Sequence, residues 1–248
     1  VYARNLKLDI EYDGSDFAGW QVQPDQRTVQ GVLEAAFSDL AGQVLRVTGA
    51  GRTDAGVHAL KQAAHVACSI ELPVGKVRAA VNARLPDDVR VQAVEDAPLT
   101  FHARYDAVSR SYAYLIGLSE SPVWRLRRWS VRAELDARPM AEAAEFLAGE
   151  HDFESFSLKG SAPDHHRCHV TGTSLECHLD YGGMLIFRVE ANRFLRGMVR
   201  SIVGTLVEVG RGALAPTDVI AILEARDRGR AGPTAPPHGL YLVDVTYA

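Results

Sequence analysis

Residues 49–60, GAGRTDAGVHAL, set one carboxylate, Asp54, two positions after an arginine, Arg52, with glycines on both sides. An ionised carboxylate can serve as a nucleophile, as a base, or as a stabiliser of positive charge. In a closed pocket burial works against the ionised form, and a nearby guanidinium works for it. Arg52 is the cation at hand for that task. Glycines around the pair let a ligand or another backbone come close. The plainer alternative is a tight turn in which Asp54 bonds to backbone amides. Against it, the connection is longer than the two to five residues a hairpin needs.

The elements on either side must position this loop. LKLDIEY alternates apolar and polar residues and reads as a strand. TVQGVLEAAFSDLAG has Val29, Leu33, Phe37 and Leu40 at helical spacing, with Thr28 as N-cap. QVLRVTGA and KQAAHVACSI read as strands flanking the loop, VGKVRAAVNARL as a helix stopped by Pro86, and DVRVQAVE as a closing strand. The order is β-α-β-β-α-β, the ferredoxin-like arrangement.

The second half repeats the pattern. RSYAYLIG is a strand, and ARPMAEAAEFLAGE a helix with Asp136 near its cap and Pro139 in its first turn. HVTGTSLECHL and GMLIFRVEA pair around DYGG, RFLRGMVRSIVGTLVEVG and PTDVIAILEAR are helices, and GLYLVDVTYA is the last strand. The expected fold is α+β, with two ferredoxin-like halves and mainly antiparallel sheets, an N-terminal domain over 1–105 and a C-terminal domain over 106–248.

Composition fits a folded globular chain, 47% hydrophobic and 23% charged. The first residues lack a secretory apolar stretch, and no run approaches the ~20 apolar residues of a membrane span. Three cysteines, Cys68, Cys168 and Cys177, are too few for a disulfide framework and point to a cytoplasmic protein. Net charge is −4. Residues 1–105 hold 11 basic against 13 acidic side chains, and residues 106–248 hold 16 against 18. A nucleic-acid surface would have to come from local clustering of arginines. Arg125, Arg127 and Arg128, and Arg226, Arg228 and Arg230, are such clusters, suited either to phosphates or to solvated loops.

GRTDAGVHA resembles the signature of tRNA pseudouridine synthases of the TruA type. EYDGSDFAGWQ, TVQGVLE, NARLPDDV, FHARYDAVSRSYAYLI, GEHDFESF, ANRFLRGMVRSIVG and PPHGLYL resemble further blocks of that family, in order, over essentially the whole chain. The resemblance implies isomerisation of uridine at positions 38, 39 and 40 of the tRNA anticodon stem-loop. It also implies two domains flanking a central cleft, a homodimer, and no cofactor or metal. By the same resemblance Asp54 is the catalytic nucleophile and Arg52 the signature arginine. Arg200 pairs with the catalytic carboxylate, Tyr112 stacks on the target base, and Leu240 lies on the base's other side. Arg110 and Arg196 are expected on the RNA-binding surface.

The residues alone leave two choices open. Tyr112 and Tyr114 share one strand face, and periodicity does not say which meets RNA. Arg200 sits among Met198, Val199, Ile202 and Val203, which leaves its exposure ambiguous. Two other functions compete. HHRCH at 165–169, with Cys177 and His178, could hold zinc, although no CxxC partner exists. A non-catalytic RNA-binding module is the second, although the RNP-type aromatic motif is absent.

Overall fold

The computed structural model describes residues 3–158 and 165–248. In chain order its elements are β1 (Arg4–Tyr12), α1 (Val29–Ala41), β2 (Val47–Gly49), β3 (His58–Cys68), α2 (Val74–Asn82), β4 (Val89–Ala97) and β5 (Ala107–Gly117). There follow β6 (Trp129–Ser130), α3 (Ala137–Glu145), β7 (Gly149–Asp152), β8 (Arg167–His178), β9 (Met184–Ala191), α4 (Met198–Gly210), α5 (Asp218–Ala225) and β10 (Leu240–Tyr247). The chain is α+β and its strands pair mainly antiparallel. It separates into two compact units, one of residues up to Val108 with Tyr241–Ala248, the other Ser109–Leu240.

The first unit is a sheet in the order β4-β1-β3, with β2 and β10 sharing the far side of β3. Alternation along β1 buries Leu6, Leu8, Ile10 and Tyr12. Thr28 caps α1 as expected, its side chain accepting from the Gly31 amide at 3.2 Å, and Gly42 closes the helix at φ 65. Glu34 on α1 is buried and accepts from the Val47 amide and from Arg46, which pins the helix to β2. β2 is shorter than its apolar run because the Leu45 amide bonds to the Ser38 hydroxyl, holding that stretch to the end of α1.

In the second unit the sheet runs β5-β9-β8-β7, with β6 beside β5. Two boundaries differ from the sequence pattern. α3 stops at Glu145, and Gly149 at φ 102 turns the chain into β7, which pairs with β8. α4 starts at Met198 rather than near Arg193, because Gly197 at φ 68 lies outside helical backbone. β10 pairs in parallel with β3 through Tyr241↔His58 and Leu242↔Ala59.

α4 is apolar nearly all round and buried nearly all round, as a central core helix must be. Glycines bring neighbours close to it. A Cβ on Gly204 would collide with the Pro233 carbonyl, and one on Gly210 would meet Met140 of α3 at 2.5 Å.

Candidate active site

Asp54 lies in the connection between β2 and β3, and this loop is fixed from several sides. Beneath it the Tyr12 hydroxyl, at the end of β1, is 2.7 Å from the Thr53 hydroxyl, both groups being buried. The Thr53 carbonyl accepts from the Trp20 amide at 3.0 Å, and the Val57 amide turns back to the Asp54 carbonyl at 3.2 Å. Gln62 on β3 donates to the Gly51 carbonyl at 2.9 Å. Close approach explains the glycines. A Cβ on Gly14 would strike the Val57 carbonyl, one on Gly19 would sit 2.8 Å from the Thr53 carbonyl, and one on Gly49 would enter the Trp20 ring. His58 is buried, accepts from the Gly14 amide through Nδ1 at 3.1 Å, and stacks on Tyr241 at 4.7 Å.

The loop from 13 to 20 is thus the clamp on the loop that carries Asp54. The clamp has its own brace. The Arg27 guanidinium lies 4.0 Å from the Phe17 ring centroid and pairs with both Asp88 carboxylate oxygens at 2.8 Å. Within this scaffold Asp54 is half-buried and Arg52 is exposed.

The other expected residues belong to the second unit. Tyr112 and Tyr114 of β5 differ in their partners. Tyr114 is 0% exposed, its hydroxyl donates to the Pro236 carbonyl at 2.7 Å, and burial drives its phenol far above the ordinary range. Tyr112 is 9% exposed and meets the edge of Phe194 at 5.0 Å. Both tyrosines are buried, Tyr114 completely and Tyr112 nearly so. Arg110, at the start of the same strand, donates to the Asn192 carbonyl at 2.9 Å.

Arg200 is half-buried on the first turn of α4, and its Nε donates to the Ala235 carbonyl at 2.7 Å. The segment it holds leads through a short turn at Pro237–Gly239 to Leu240, which is buried. In that turn burial lowers the His238 imidazole below its ordinary value; a hydrogen bond to the Arg128 backbone opposes this and the Arg200 charge adds to it. Arg196 is exposed but precedes α4, in the loop whose Arg196 carbonyl accepts from the Leu158 amide at 2.9 Å.

Both arginine clusters divide once side chains are placed. Arg128 is 1% exposed, with Nη1 and Nη2 donating to the Gly183 and Ser119 carbonyls at 3.3 and 3.1 Å. It is an internal strut and neither a phosphate ligand nor a solvated charge. Arg125 beside it is exposed. Arg228 is similarly engaged, with Gly232 and Thr234, while Arg226 and Arg230 are exposed.

Among the described residues, the two cysteines of the zinc alternative do not come together. Cys168 and Cys177 are nine residues apart on β8, about 30 Å at strand rise. Cys168 is buried and its thiol is pushed up to about 11 by that burial, whereas Cys177 is exposed. His166 instead faces Asp152 and Glu154, their ligand atoms all within 4.8 Å, with Arg226 Nε 3.4 Å from Asp152.

Sequence reasoning passed over Tyr12, Thr53, His58 and Phe194. Alternation places Tyr12 on the buried face of β1, but nothing in the sequence says that its hydroxyl reaches the loop around Asp54.

A family model described as tRNA pseudouridine synthase matches residues 10–106 and 143–248. Three relatives named tRNA pseudouridine synthase A illustrate the likeness. That of Exiguobacterium sp. is 42% identical over 245 residues, covering 98% of each chain. That of Oceanobacillus iheyensis is 43% identical and covers 98% of this chain and 96% of its own. That of Brevibacillus brevis is 44% identical and covers 98% of this chain and 100% of its own. Matches of this extent take in the loop of Asp54, the strand of Tyr112 and the helix of Arg200. The chain belongs to the tRNA pseudouridine synthase family of isomerases.

Proposed function

We propose that this protein converts uridine to pseudouridine at positions 38, 39 and 40 of the tRNA anticodon stem-loop, as a cytoplasmic homodimer that needs no cofactor or metal. The observation that carries the reading is Asp54 itself, half-buried on a loop held by Tyr12 through the Thr53 hydroxyl and by Trp20 and Gln62 through backbone carbonyls. Fixed geometry of that kind is what a carboxylate nucleophile requires.

The reaction breaks the bond from ribose C1′ to N1 and joins C1′ to C5. C5 gives up its proton and N1 gains one, so the atoms balance without an added reactant. Asp54 is the nucleophile, Arg52 and Arg200 are the cations that serve its charge, and Tyr112 and Leu240 receive the base. Unstacking a base costs a few kcal/mol, and stacking on an aromatic ring returns about 1–3 kcal/mol. Arg110 and Arg196 bind the RNA backbone. The β4-β1-β3-β2 order of the first unit supports a ferredoxin-like reading of that half.

The test is incubation with an unmodified tRNA transcript followed by mapping of pseudouridine. Wild type should modify positions 38–40. Asp54→Asn should abolish the product and leave tRNA affinity within a few-fold, since the amide keeps the shape and loses the charge. Binding without modification by the wild type would leave only an RNA-binding module. Light scattering at micromolar protein should give the mass of a dimer.

A further inference from the structure

At the end of β4 the chain enters a loop, residues 98–106, that is unusually well tied down for a surface segment. Asn5 on β1 donates through Nδ2 to the Pro98 and Phe101 carbonyls at 3.1 and 2.9 Å. The Tyr247 hydroxyl donates to the Ala103 carbonyl at 2.7 Å, and the Ala103 amide donates to His65 Nδ1 at 3.1 Å. Three strands therefore hold one loop.

The loop presents an aromatic ring. His102 Nδ1 accepts from the Arg104 and Tyr105 amides at 3.2 and 3.3 Å, which fixes its imidazole. Tyr105 stacks on that imidazole, with centroids 4.3 Å apart and planes 30° apart. The Arg104 guanidinium lies 5.7 Å from the Tyr105 centroid. Tyr105 is nevertheless 75% exposed. An isolated exposed apolar side chain needs no explanation. A tyrosine already ordered against a second ring, on a loop braced by three strands, is different. Most of the entropy that a ligand would otherwise have to remove is already gone.

The chemistry of the surface selects its occupant. A flat π face beside a guanidinium fits a nucleobase with its phosphate better than an aliphatic or acidic protein surface. We propose that Tyr105, backed by His102 and flanked by Arg104, is a stacking site for an unpaired tRNA base other than the target uridine. β3 sets the spacing. The Asp54 loop enters β3 at His58, and His65, whose ring is 4.8 Å from that of His102, lies seven residues further along the strand. At about 3.3 Å per residue the two places are about 20 Å apart. That is some six stacked nucleotides, too far for one base to reach both.

The proposal rests on tRNA being the substrate, and the experiment separates the two. Affinity for an unmodified tRNA transcript is measured by filter binding for wild type, Tyr105→Ala and Tyr105→Phe, with thermal melts to confirm folding. Tyr105→Ala should weaken binding roughly 5- to 100-fold, as loss of one stacked base does, and Tyr105→Phe should restore it to within twofold. Tyr105→Ala binding within twofold of wild type would overturn the stacking site, as would a change in oligomeric mass at unaltered affinity. A wild type that binds tRNA but forms no pseudouridine would overturn the catalytic reading alone, because the binding comparison still judges Tyr105.

Discussion

Arg200 and Ala235 exchange two hydrogen bonds. The Ala235 amide donates to the Arg200 carbonyl at 3.0 Å, and Arg200 Nε donates to the Ala235 carbonyl at 2.7 Å. The first aligns the 232–235 segment along α4, and the second anchors the guanidinium through Nε. Lysine can keep the charge at this position but not the fork. Arg200→Lys should therefore lower pseudouridine formation at least 10-fold while changing thermal stability little. Single-turnover assays on tRNA transcript check the first part, and melts check the second.

Gly14 packs against the Val57 backbone under the Asp54 loop. A Cβ on Gly14 would run into the Val57 carbonyl, which is backbone and cannot swing aside. Gly14→Ala should push the loop outward, costing about 1–3 kcal/mol of stability as overpacking does. Because Asp54 lies three residues away, activity should fall more steeply than stability. Denaturant titration and initial rates, measured on the same preparation, give the two numbers.

Tyr12→Phe deletes one hydroxyl and leaves the Thr53 hydroxyl buried with its bond gone. A cost of about 1–3 kcal/mol is expected. Thr53→Val alone should cost a similar amount, and the double variant should cost less than the sum of the two. Additive losses would show that the 2.7 Å contact contributes nothing of its own.

Arg128 tests the division of the arginine cluster. Arg128→Lys leaves an amine that cannot reach both the Gly183 and Ser119 carbonyls, so melting temperature should drop. The salt dependence of tRNA binding should not change, since a buried group releases no counterion. Arg125→Ala should do the reverse, with stability unchanged and a shallower salt slope if that exposed side chain meets phosphate.

His65 gives a pH dependence with a definite sign. Burial holds its imidazole below the ordinary value of 6.5; the neighbouring His102 pushes the same way, and Asp106 opposes. The unfolded chain thus takes up a proton at a higher pH than the folded one. Stability from neutral His65 is complete above about pH 6.5 and is lost as pH falls through the lowered folded value. His65→Asn, which can still accept from the Ala103 amide, should flatten the acid limb of a melting-temperature profile between about pH 7 and pH 5.

The sequence by itself determined much of this. Alternation marked β1, β5 and β9, Thr28 and Asp136 marked helix starts, and the glycines around Asp54 marked a loop longer than any hairpin needs. These signals are local, because each depends on residues within one or two turns of one another. The blocks from EYDGSDFAGWQ to PPHGLYL carried the family as well, and the family comparison bears that out. What tertiary structure decided depends on residues far apart in the chain. Tyr112 and Tyr114 have the same strand face and the same side chain, and the acceptor of the Tyr114 hydroxyl, the Pro236 carbonyl, comes from more than a hundred residues on. Arg125 and Arg128 read alike in sequence, until the chain around Gly117 and Gly183 encloses one of them. β10 pairs with β3, which lies far back in the chain, since hydrogen-bonded register is a property of the strands that meet and not of their order.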